Sequence, residues 1–259
     1  MKTLPAKRLK NSIKFGDRFQ LGEHFLLCGD SLNKEMVKDF LKNRKIKAVI
    51  SDIPYGVDVN QSKAWCGQKL SCPKDIINDH LQTDEEYKEF NQKWLQNIIP
   101  FLEKKNSLYI FNSDKMIFPL REAMVDSGLK FSQLLIWIKN HAVIGRLDYL
   151  PMHELIAYGW YGTHEFRKAK DKSVLFYPKP NRSKAHPSMK PIGLLRNLIL
   201  NSTNLDDTVW DGFLGSGSLI IAAEQTHRKC LGIEIDPDYC LTTIQRWEAL
   251  TGLKAKKIS

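Results

Sequence analysis

Short apolar runs recur along the chain and alternate with segments of helical periodicity. The runs are typical of strands buried on both faces of a parallel sheet, and they occupy residues 24–29, 47–51, 107–112, 207–211 and 229–235. Several segments between them are amphipathic with helical spacing, at residues 84–103, 115–127, 191–203, 217–227 and 237–251. This alternation predicts an α/β protein with a doubly wound sheet.

Two apolar segments near the middle of the chain depart from this alternation. Residues 131–139 and 153–160 suit two neighbouring strands at one edge of the sheet, and we expect them to be antiparallel. Residues 57–83 and 160–186 are long, polar and basic, so we predict loops there. Long loops in a compact domain are often functional.

The composition limits the class of protein. At 259 residues the chain is long enough for a full hydrophobic core, and we expect one domain over residues 1–259 with loose basic ends at 1–14 and 254–259. The 39 Lys and Arg residues exceed the 29 Asp and Glu residues, which gives a net charge of +10 and favours a polyanionic partner such as nucleic acid. An ordinary solvated basic surface explains the same charge.

Cysteine usage and hydropathy narrow the class further. The five cysteines form no CxxC pair and have no matching histidine pair, so we expect reduced thiols and no metal site. No stretch approaches the roughly 20 apolar residues of a membrane span, and the basic N-terminus lacks the apolar core of a signal peptide. A cytoplasmic protein without membrane contacts is therefore expected.

A glycine-rich turn in "VWDGFLGSGSLIIAAE" joins a predicted strand directly to a predicted helix. Gly212, Gly215 and Gly217 would let the backbone approach a ligand whose polar groups meet the N-terminus of the helix. A tight connection that needs positive φ explains such a turn equally well. The next strand, however, ends in Glu234, where a nucleotide-type ligand would have its ribose hydroxyls bound. Either a dinucleotide or S-adenosylmethionine fits this arrangement.

The stretch "DGFLGSG" followed by "GIEID" resembles the cofactor motif of the DNA amino-methyltransferases, whose usual form is close to Asp-Pro-Phe-x-Gly-Ser-Gly. The resemblance implies a Rossmann-like methyltransferase fold with S-adenosylmethionine as the cofactor. It also implies that Glu234 binds the cofactor ribose. The other residues expected to line the cofactor are Asp211, Phe213, Gly215, Ser216 and Gly217.

The stretch "DIPY" resembles a second motif of that family, Asp-Pro-Pro-Tyr, which ends another strand and holds the target amine. The exocyclic amine of adenine or cytosine is a poor nucleophile because its lone pair is delocalised into the ring. The resemblance implies that the Asp52 carboxylate and the Ile53 carbonyl accept its two hydrogens and direct the lone pair at the sulfonium methyl. Pro54 would fix the turn, and Tyr55 would stack on the extruded base. Ile53 replaces the first proline of the motif, which leaves the backbone less restrained and would slow the site.

Further stretches extend the resemblance over about residues 16–254. The stretch "LGEHFLLCGDSL" is similar to an N-terminal segment of the family whose acid contacts the cofactor adenine, and Asp30 is that acid here. The stretch "HPSMKP" is similar to a motif that packs beside the methionine part of the cofactor, which implies cofactor contacts for His186 and Lys190. A polar helix entrance explains these two residues equally well.

The order of the motifs implies a subclass. The motif for the methyl acceptor precedes the cofactor motif, which is the permuted arrangement of the β-class DNA amino-methyltransferases. The implied fold is a circularly permuted methyltransferase sheet with a short target-recognition insertion. Asp52 and Gly215 are expected at neighbouring strand ends of that sheet.

Residues 139–185 are rich in Arg, Lys, His and Tyr. A solvated basic surface is one explanation, and a target-recognition region for double-stranded DNA is the explanation that the resemblance favours. The candidate contacts to phosphates or bases, two roles that the sequence does not separate, are Arg146, Arg167, Lys168 and Arg182. Analogy with the family also favours a homodimer.

Three functions remain open from the sequence. The first is methyl transfer to an exocyclic amine of DNA, for which the resemblance favours N6 of adenine and leaves N4 of cytosine open. The second is methylation of RNA or of a protein amide by a related enzyme, which the N-terminal position of "DIPY" disfavours. The third is an inactive DNA-binding relic, which gains support from Ile53, Gly212 and Leu214 because each departs from the usual motif.

Overall fold

One mixed β-sheet runs through the described part of the molecule. The computed structural model describes residues 13–56, 82–142, 148–167, 171–179 and 189–258. Within these residues ten strands join in a single sheet. In chain order they are β1 (Arg18–Leu21), β2 (His24–Cys28), β3 (Ile46–Asp52), β4 (Leu102–Asn112), β5 (Leu129–Ile138), β6 (His153–Tyr161), β7 (Val174–Phe176), β8 (Thr208–Asp211), β9 (Lys229–Glu234) and β10 (Lys256–Lys257). In space their order is β10-β1-β2-β9-β8-β3-β4-β6-β5-β7.

Helices cover both faces of this sheet. Those of the described residues are α1 (Lys34–Leu41), α2 (Asp84–Ile98), α3 (Ile117–Asp126), α4 (Ile192–Ser202), α5 (Ser218–Thr226) and α6 (Pro237–Thr251). Apolar side chains of α1, α2 and α3 belong to one hydrophobic cluster, and those of α4, α5 and α6 belong to a second cluster. The sheet therefore lies between two helical layers, as the doubly wound prediction requires.

The central strands are apolar at nearly every position because both of their faces are buried. In β3, Ala48 and Ile50 belong to the cluster with α4, α5 and α6, whereas Val49 belongs to the cluster with α1, α2 and α3. In β8, Val209 and Trp210 are divided between the two clusters in the same way. Burial on both faces explains the near-continuous apolar runs in the sequence, and it confirms the predicted parallel core.

The predicted strands at residues 131–139 and 153–160 form the antiparallel neighbours β5 and β6. Their register runs from Leu129 opposite Tyr161 to Ile138 opposite His153. β6 also pairs in antiparallel orientation with β4. The pair is not outermost, because β7 lies beyond β5 and runs parallel to it.

Three further parts of the prediction from the sequence are wrong. The helix predicted over residues 84–103 ends at Ile98, because Pro100 lies in a 3-10 turn and β4 begins at Leu102. The loop predicted over residues 160–186 contains β7, and the predicted C-terminal tail contains β10, which pairs with β1. Strands of two or three residues carry too little periodicity to be recognised, so only their pairing partners reveal them.

Capping side chains fix where two of the helices begin. Thr83 and Glu86 form a reciprocal capping box at the start of α2. The side chain of Asp236 accepts a hydrogen bond from the Asp238 N–H at the start of α6, and Pro237 is the first helical residue. The start of α6 therefore follows the end of β9 almost at once.

Candidate active site

The C-terminal ends of two neighbouring parallel strands form the centre of the candidate site. β3 and β8 pair in parallel, with Ala48 opposite Val209. β3 ends at Asp52 and β8 ends at Asp211, so the turns that follow them leave the same edge of the sheet. Ligands of open α/β sheets bind outside this edge. The expected position of Asp52 and Gly215 at neighbouring strand ends agrees with this arrangement.

The glycine turn after β8 uses conformations and spaces that only glycine offers. Gly215 and Gly217 have φ values of 55° and 79°, in the left-handed region. A Cβ atom on Gly217 would lie 2.5 Å from Cγ2 of Thr243 in α6. Between the two glycines, the hydroxyl of Ser216 accepts a hydrogen bond from Arg246 Nη1 at 2.9 Å. The turn is therefore held against α6.

Gly212, which departs from the family motif, is matched by a neighbouring serine. The Ser31 hydroxyl donates a hydrogen bond to the Gly212 carbonyl at 2.5 Å. A Cβ atom on Gly212 would lie 2.8 Å from Ser31 Oγ. The space that the Cβ atom of a proline would need at residue 212 is therefore occupied by the hydroxyl that binds this turn.

Two buried carboxylates flank the glycine turn. Glu234 accepts hydrogen bonds from the N–H groups of Gly215 at 2.6 Å and of Asp236 at 2.8 Å. Asp211 accepts one from the Phe213 N–H at 2.9 Å. Burial raises the pKa of Asp211 and the pKa of Glu234 to about 7, although these N–H donors oppose the shift. Both carboxylates thus retain acceptor capacity for a bound hydroxyl or cation.

The remaining predicted cofactor residues line the same edge of the sheet. Phe213 is half-buried, and its ring contacts the rings of Phe90 and Trp94 at centroid distances of 5.7 Å each. Asp30 follows β2, which neighbours β9, and the Gly29 N–H donates to the Glu234 carbonyl at 2.9 Å. A glycine-containing turn, acceptor carboxylates and an aromatic wall fit S-adenosylmethionine, which carries ribose hydroxyls and a sulfonium cation.

The "DIPY" turn after β3 is held in place by core packing and by hydrogen bonds from neighbouring elements. The Ile53 side chain is only 2 % exposed and packs in the cluster with α1, α2 and α3. The Tyr87 hydroxyl donates to the Pro54 carbonyl at 3.1 Å and accepts from Asn112 Nδ2 at 3.0 Å. The packing of Ile53 and these hydrogen bonds of Tyr87 restrain the turn at the position where the family motif has its first proline.

A network of two acids, two lysines and a tyrosine surrounds the Asp52 carboxylate. Lys190 Nζ lies 2.5 Å from Asp52 Oδ2 and 3.1 Å from Glu154 Oε2. The other oxygen of Glu154 lies 2.8 Å from Lys139 Nζ. The Tyr55 hydroxyl lies 2.9 Å from Asp52 Oδ1 and 3.1 Å from Glu154 Oε2, to either of which it can donate its one hydrogen.

Burial and charge shift the ionisation of this network in opposite directions. Burial raises the pKa of Asp52 against the attraction of Lys190, and nearby Glu154 adds to the rise. Burial alone would raise the pKa of Glu154, but Lys190 and Lys139 lower it to about 2. Burial alone would lower the pKa of Lys190, but Asp52 and Glu154 raise it. Burial also raises the pKa of Tyr55, so its hydroxyl keeps its proton.

The structure thus places Lys190 beside the predicted catalytic aspartate, whereas the resemblance assigned it to the cofactor. Lys139 and Glu154 join it there, and neither was predicted from the sequence as an individual site residue. Glu154 lies in the stretch "HELIA". This stretch is not the zinc-protease motif His-Glu-x-x-His, because it lacks the second histidine. One signal available in the sequence was the occurrence of charged residues at the ends of two apolar strands. His186 lies outside the described residues.

The candidate DNA contacts are only partly described. Arg146, Lys168 and Arg182 lie outside the described residues. Arg167 forms an ion pair with Glu165 at 3.2 Å, and its N–H donates to the Asn201 carbonyl. Asn201 lies near the end of α4, about 15 Å along the helix from the end that follows Lys190. Arg167 is therefore not brought into the crevice beside Asp52.

Two features are absent from the described residues. No helix there combines the length and the apolar character that a membrane span requires. The same part of the chain holds no group of three or more His, Cys, Asp and Glu side chains arranged to bind a metal ion.

Comparisons with known proteins identify the family. A model of the DNA methylase family N6_N4_Mtase matches residues 46–245. The type II methyltransferase M.HpaI of Haemophilus parainfluenzae is 25% identical over 83% of this chain and 71% of its own length. The type II methyltransferase M1.MboII of Moraxella bovis is 23% identical over 83% of this chain and 92% of its own.

Solved structures show the same fold. The crystal structure of the M1.HpyAVI-SAM complex has a TM-score of 0.63 and 22% identity, and the alignment covers 85% of this chain and 98% of that one. The cytosine-N4-specific PvuII DNA methyltransferase has a TM-score of 0.70 and 16% identity over 88% of this chain and 90% of that one. The expected Rossmann-like methyltransferase fold is confirmed.

The family model matches well over half of the chain, so the chain belongs to this family of DNA methylases. The predicted class is thereby confirmed: a DNA amino-methyltransferase that uses S-adenosylmethionine.

Proposed function

We propose that the crevice between β3 and β8 transfers a methyl group from S-adenosylmethionine to N6 of an adenine that is flipped out of double-stranded DNA. The observation that carries the proposal is the position of Asp52 on the strand next to the glycine turn. That turn, with Asp211, Glu234 and Asp30 on the same edge, would hold the cofactor. A base must leave the duplex to reach a crevice of this kind.

The residues around Asp52 would prepare the target amine. The Asp52 carboxylate and the Ile53 carbonyl would each accept one amine hydrogen, which biases the nitrogen lone pair away from the ring. The Asp52 side chain is the most exposed acid of its network, at 29% against 15% for Glu154, so it is the acid that a base can reach. Tyr55 would stack on the base. When bound, S-adenosylmethionine would supply an electrophilic methyl group: the amine nitrogen would bond to the methyl carbon as the carbon–sulfur bond breaks and the sulfur leaves as a neutral thioether.

Proton removal is the second task of the site. Methylation would leave a positive charge on the nitrogen until one amine proton departs, and Asp52 would lie in hydrogen-bond contact with that nitrogen. Its raised pKa makes it a better proton acceptor than an exposed aspartate. Because no side chain needs to bond covalently to the base, the transfer is direct.

N4 of cytosine is the second candidate acceptor. The family model covers DNA methylases of both kinds by its name, and the PvuII enzyme of the same fold is named as cytosine-N4-specific. Both amines offer two hydrogens to Asp52 and Ile53, so the acceptor pair alone does not separate them. Adenine is our first choice because of the motif resemblance.

The experiment incubates the protein with S-adenosylmethionine and unmethylated DNA, digests the DNA to nucleosides and identifies the products by mass spectrometry. We expect N6-methyladenine from the wild type and none from Asp52→Asn, which keeps the side-chain shape. Asp39→Asn on the exposed face of α1 is the matched control and should retain activity. N4-methylcytosine would replace the adenine proposal. Absence of product together with absence of cofactor binding would support an inactive relic.

We also propose that the chain is one domain, with residues 139–185 as its target-recognition region. Substitution by Gln should weaken DNA binding and reduce its salt dependence, since each phosphate contact releases counterions. The variants are Arg146→Gln, Arg167→Gln, Lys168→Gln and Arg182→Gln. Unchanged binding in all four would contradict this region.

Two further proposals concern assembly and context. By analogy with the family, we propose a homodimer, which sedimentation of the protein with and without DNA would test. The type II names of the relatives support a role in restriction and modification. Protection of methylated DNA from a restriction enzyme of the same site would test that role.

A further inference from the structure

Four charged groups of alternating sign form a row of ion pairs that ends at Asp52. In order they are Lys139, Glu154, Lys190 and Asp52, with successive separations of 2.8, 3.1 and 2.5 Å. The two lysine side chains are 5% and 8% exposed, so water does little to screen them. When both acids are ionised, their two negative charges balance the two positive charges of the lysines.

The ammonium group of Lys190 has an oxygen acceptor for each of its three hydrogens. These acceptors are Asp52 Oδ2, Glu154 Oε2 and the Tyr55 hydroxyl, the last at 3.2 Å. The rings of Tyr55 and Phe111 lie 5.5 and 5.1 Å from the nitrogen. A fully partnered ammonium beside aromatic rings has one preferred position, and Glu154 supplies one of the three acceptors that define it.

The strand hairpin fixes Glu154 in turn. Glu154 lies near the start of β6, opposite Trp137 of β5. Lys139 immediately follows β5, and its N–H donates to the Met152 carbonyl at 2.8 Å. The backbone pairing of β5 and β6 therefore holds Lys139 and Glu154 together before any substrate binds.

Glu154 also offsets the effect of the Lys190 charge on the pKa of Asp52. The described charged or titratable groups that face Asp52 are Lys190, Glu154, Tyr55 and, from β8, Asp211, with Lys139 behind Glu154. Lys190 attracts the carboxylate charge and weakens Asp52 as an acceptor, whereas Glu154 opposes that effect. Without Glu154, two buried ammonium groups would face one carboxylate.

We propose that Glu154 is a positioning residue of the methyl-transfer reaction: it aims the Lys190 ammonium at Asp52 and offsets its charge, so that Asp52 remains an effective acceptor for the target amine. This inference rests on the proposed function. It assigns Glu154 no contact with the base or the cofactor. Lys139 holds Glu154 in place from the opposite side.

The kinetic test compares Glu154→Gln with Glu154→Asp. Glu154→Gln removes the charge with little change of shape, and it should lower kcat by roughly ten- to a hundredfold while leaving the cofactor dissociation constant unchanged. The acid limb of its pH profile for kcat should move to lower pH, because the pKa of Asp52 falls. Glu154→Asp keeps the charge, so it should retain the position of the acid limb even where kcat falls.

The control removes a charge elsewhere on the same sheet. Glu103→Gln lies at the opposite end of β4 from the crevice, where Glu103 pairs with Lys47 at 3.7 Å. It should leave both kcat and the pH profile unchanged. Wild-type kinetics in Glu154→Gln, or equal shifts of the acid limb in Glu154→Gln and Glu154→Asp, would overturn the proposal.

A second measurement does not depend on turnover. In protein labelled with ¹³C at aspartate carboxyl groups, the signal lost in Asp52→Asn identifies Asp52, and its titration gives the pKa. This pKa should fall in Glu154→Gln and stay near the wild-type value in Glu154→Asp. An unchanged value in Glu154→Gln would overturn the proposal even in an active enzyme. A wild type that methylates no DNA would instead refute the proposed function.

Discussion

Oδ2 of Asp52 lies 2.5 Å from Nζ of Lys190, although the two residues belong to separate motifs at distant points of the chain. Lys190 directly precedes the residue that caps α4, and Asp52 ends β3. The contact joins the predicted acceptor motif to the predicted "HPSMKP" motif. It makes the charge of Asp52 dependent on a residue that the resemblance assigned to the cofactor.

Removal of the Lys190 charge should therefore change how activity depends on pH. Burial already raises the pKa of Asp52, and Lys190 opposes the rise. In Lys190→Met the pKa should rise further, so the acid limb of the kcat profile should move to higher pH, with a loss of roughly ten- to a hundredfold at neutral pH. Lys93→Met, on the exposed face of α2, is the control. An acid limb at the wild-type position would argue against the contact.

Gly217→Ala should disrupt the cofactor turn through a clash with α6. The added Cβ would lie 2.5 Å from Thr243 Cγ2, and φ is 79°. We expect a loss of about 1–3 kcal/mol in the free energy of unfolding and weaker cofactor binding by calorimetry. Gly162→Ala has a similar φ of 68° and nothing within 4 Å, so it measures backbone strain alone. Equal effects of both variants would exclude the clash.

Gly212→Pro, which restores the usual family residue, should weaken cofactor binding here. The new Cβ would lie 2.8 Å from Ser31 Oγ. The cofactor dissociation constant should rise by about tenfold, which corresponds to about 1.4 kcal/mol. The double variant Ser31→Ala and Gly212→Pro removes the hydroxyl and should recover part of the affinity. If Ser31→Ala brings no recovery, the clash is not the reason for glycine at this position.

Cofactor binding should release protons near pH 7. Burial raises the pKa of Asp211 and the pKa of Glu234 to about 7, so both are partly protonated there without ligand. The sulfonium cation favours their ionised forms, so affinity should increase from pH 6 to pH 8. Calorimetry in buffers of different ionisation enthalpy measures the released protons. Proton uptake, or affinity independent of pH, would contradict this assignment.

Asp211 and Glu234 also make the stability of the cofactor-free protein depend on pH. In the unfolded chain they ionise near their ordinary pKa values of 3.8 and 4.5, and in the folded protein near 7. Between the unfolded and the folded pKa values, the folded state therefore binds more protons than the unfolded state. The stability that the two carboxyl groups contribute is present at low pH and is lost as the pH rises toward 7. Urea unfolding of the cofactor-free protein at several pH values, compared with Glu234→Gln, measures this contribution.

The amino-acid pattern alone determined the central strands and most of the helices. β2, β3, β8 and β9 have apolar side chains on both faces, so each appears in the sequence as a nearly continuous apolar run. α6 was predicted with its observed bounds because Asp236 caps it and Pro237 begins it. The glycine turn was also readable, since positive φ at Gly215 and Gly217 leaves few other residue types.

Tertiary structure alone decided how the acceptor aspartate is charged and held. Glu154, Lys139 and Lys190 carry no periodicity or spacing that links them to Asp52, because ion pairs between distant segments depend on where the sheet places each strand end. The fit of Ser31 to Gly212 is equally invisible in the sequence. β7 and β10 follow the same rule, because strands this short are defined by the strands that they pair with.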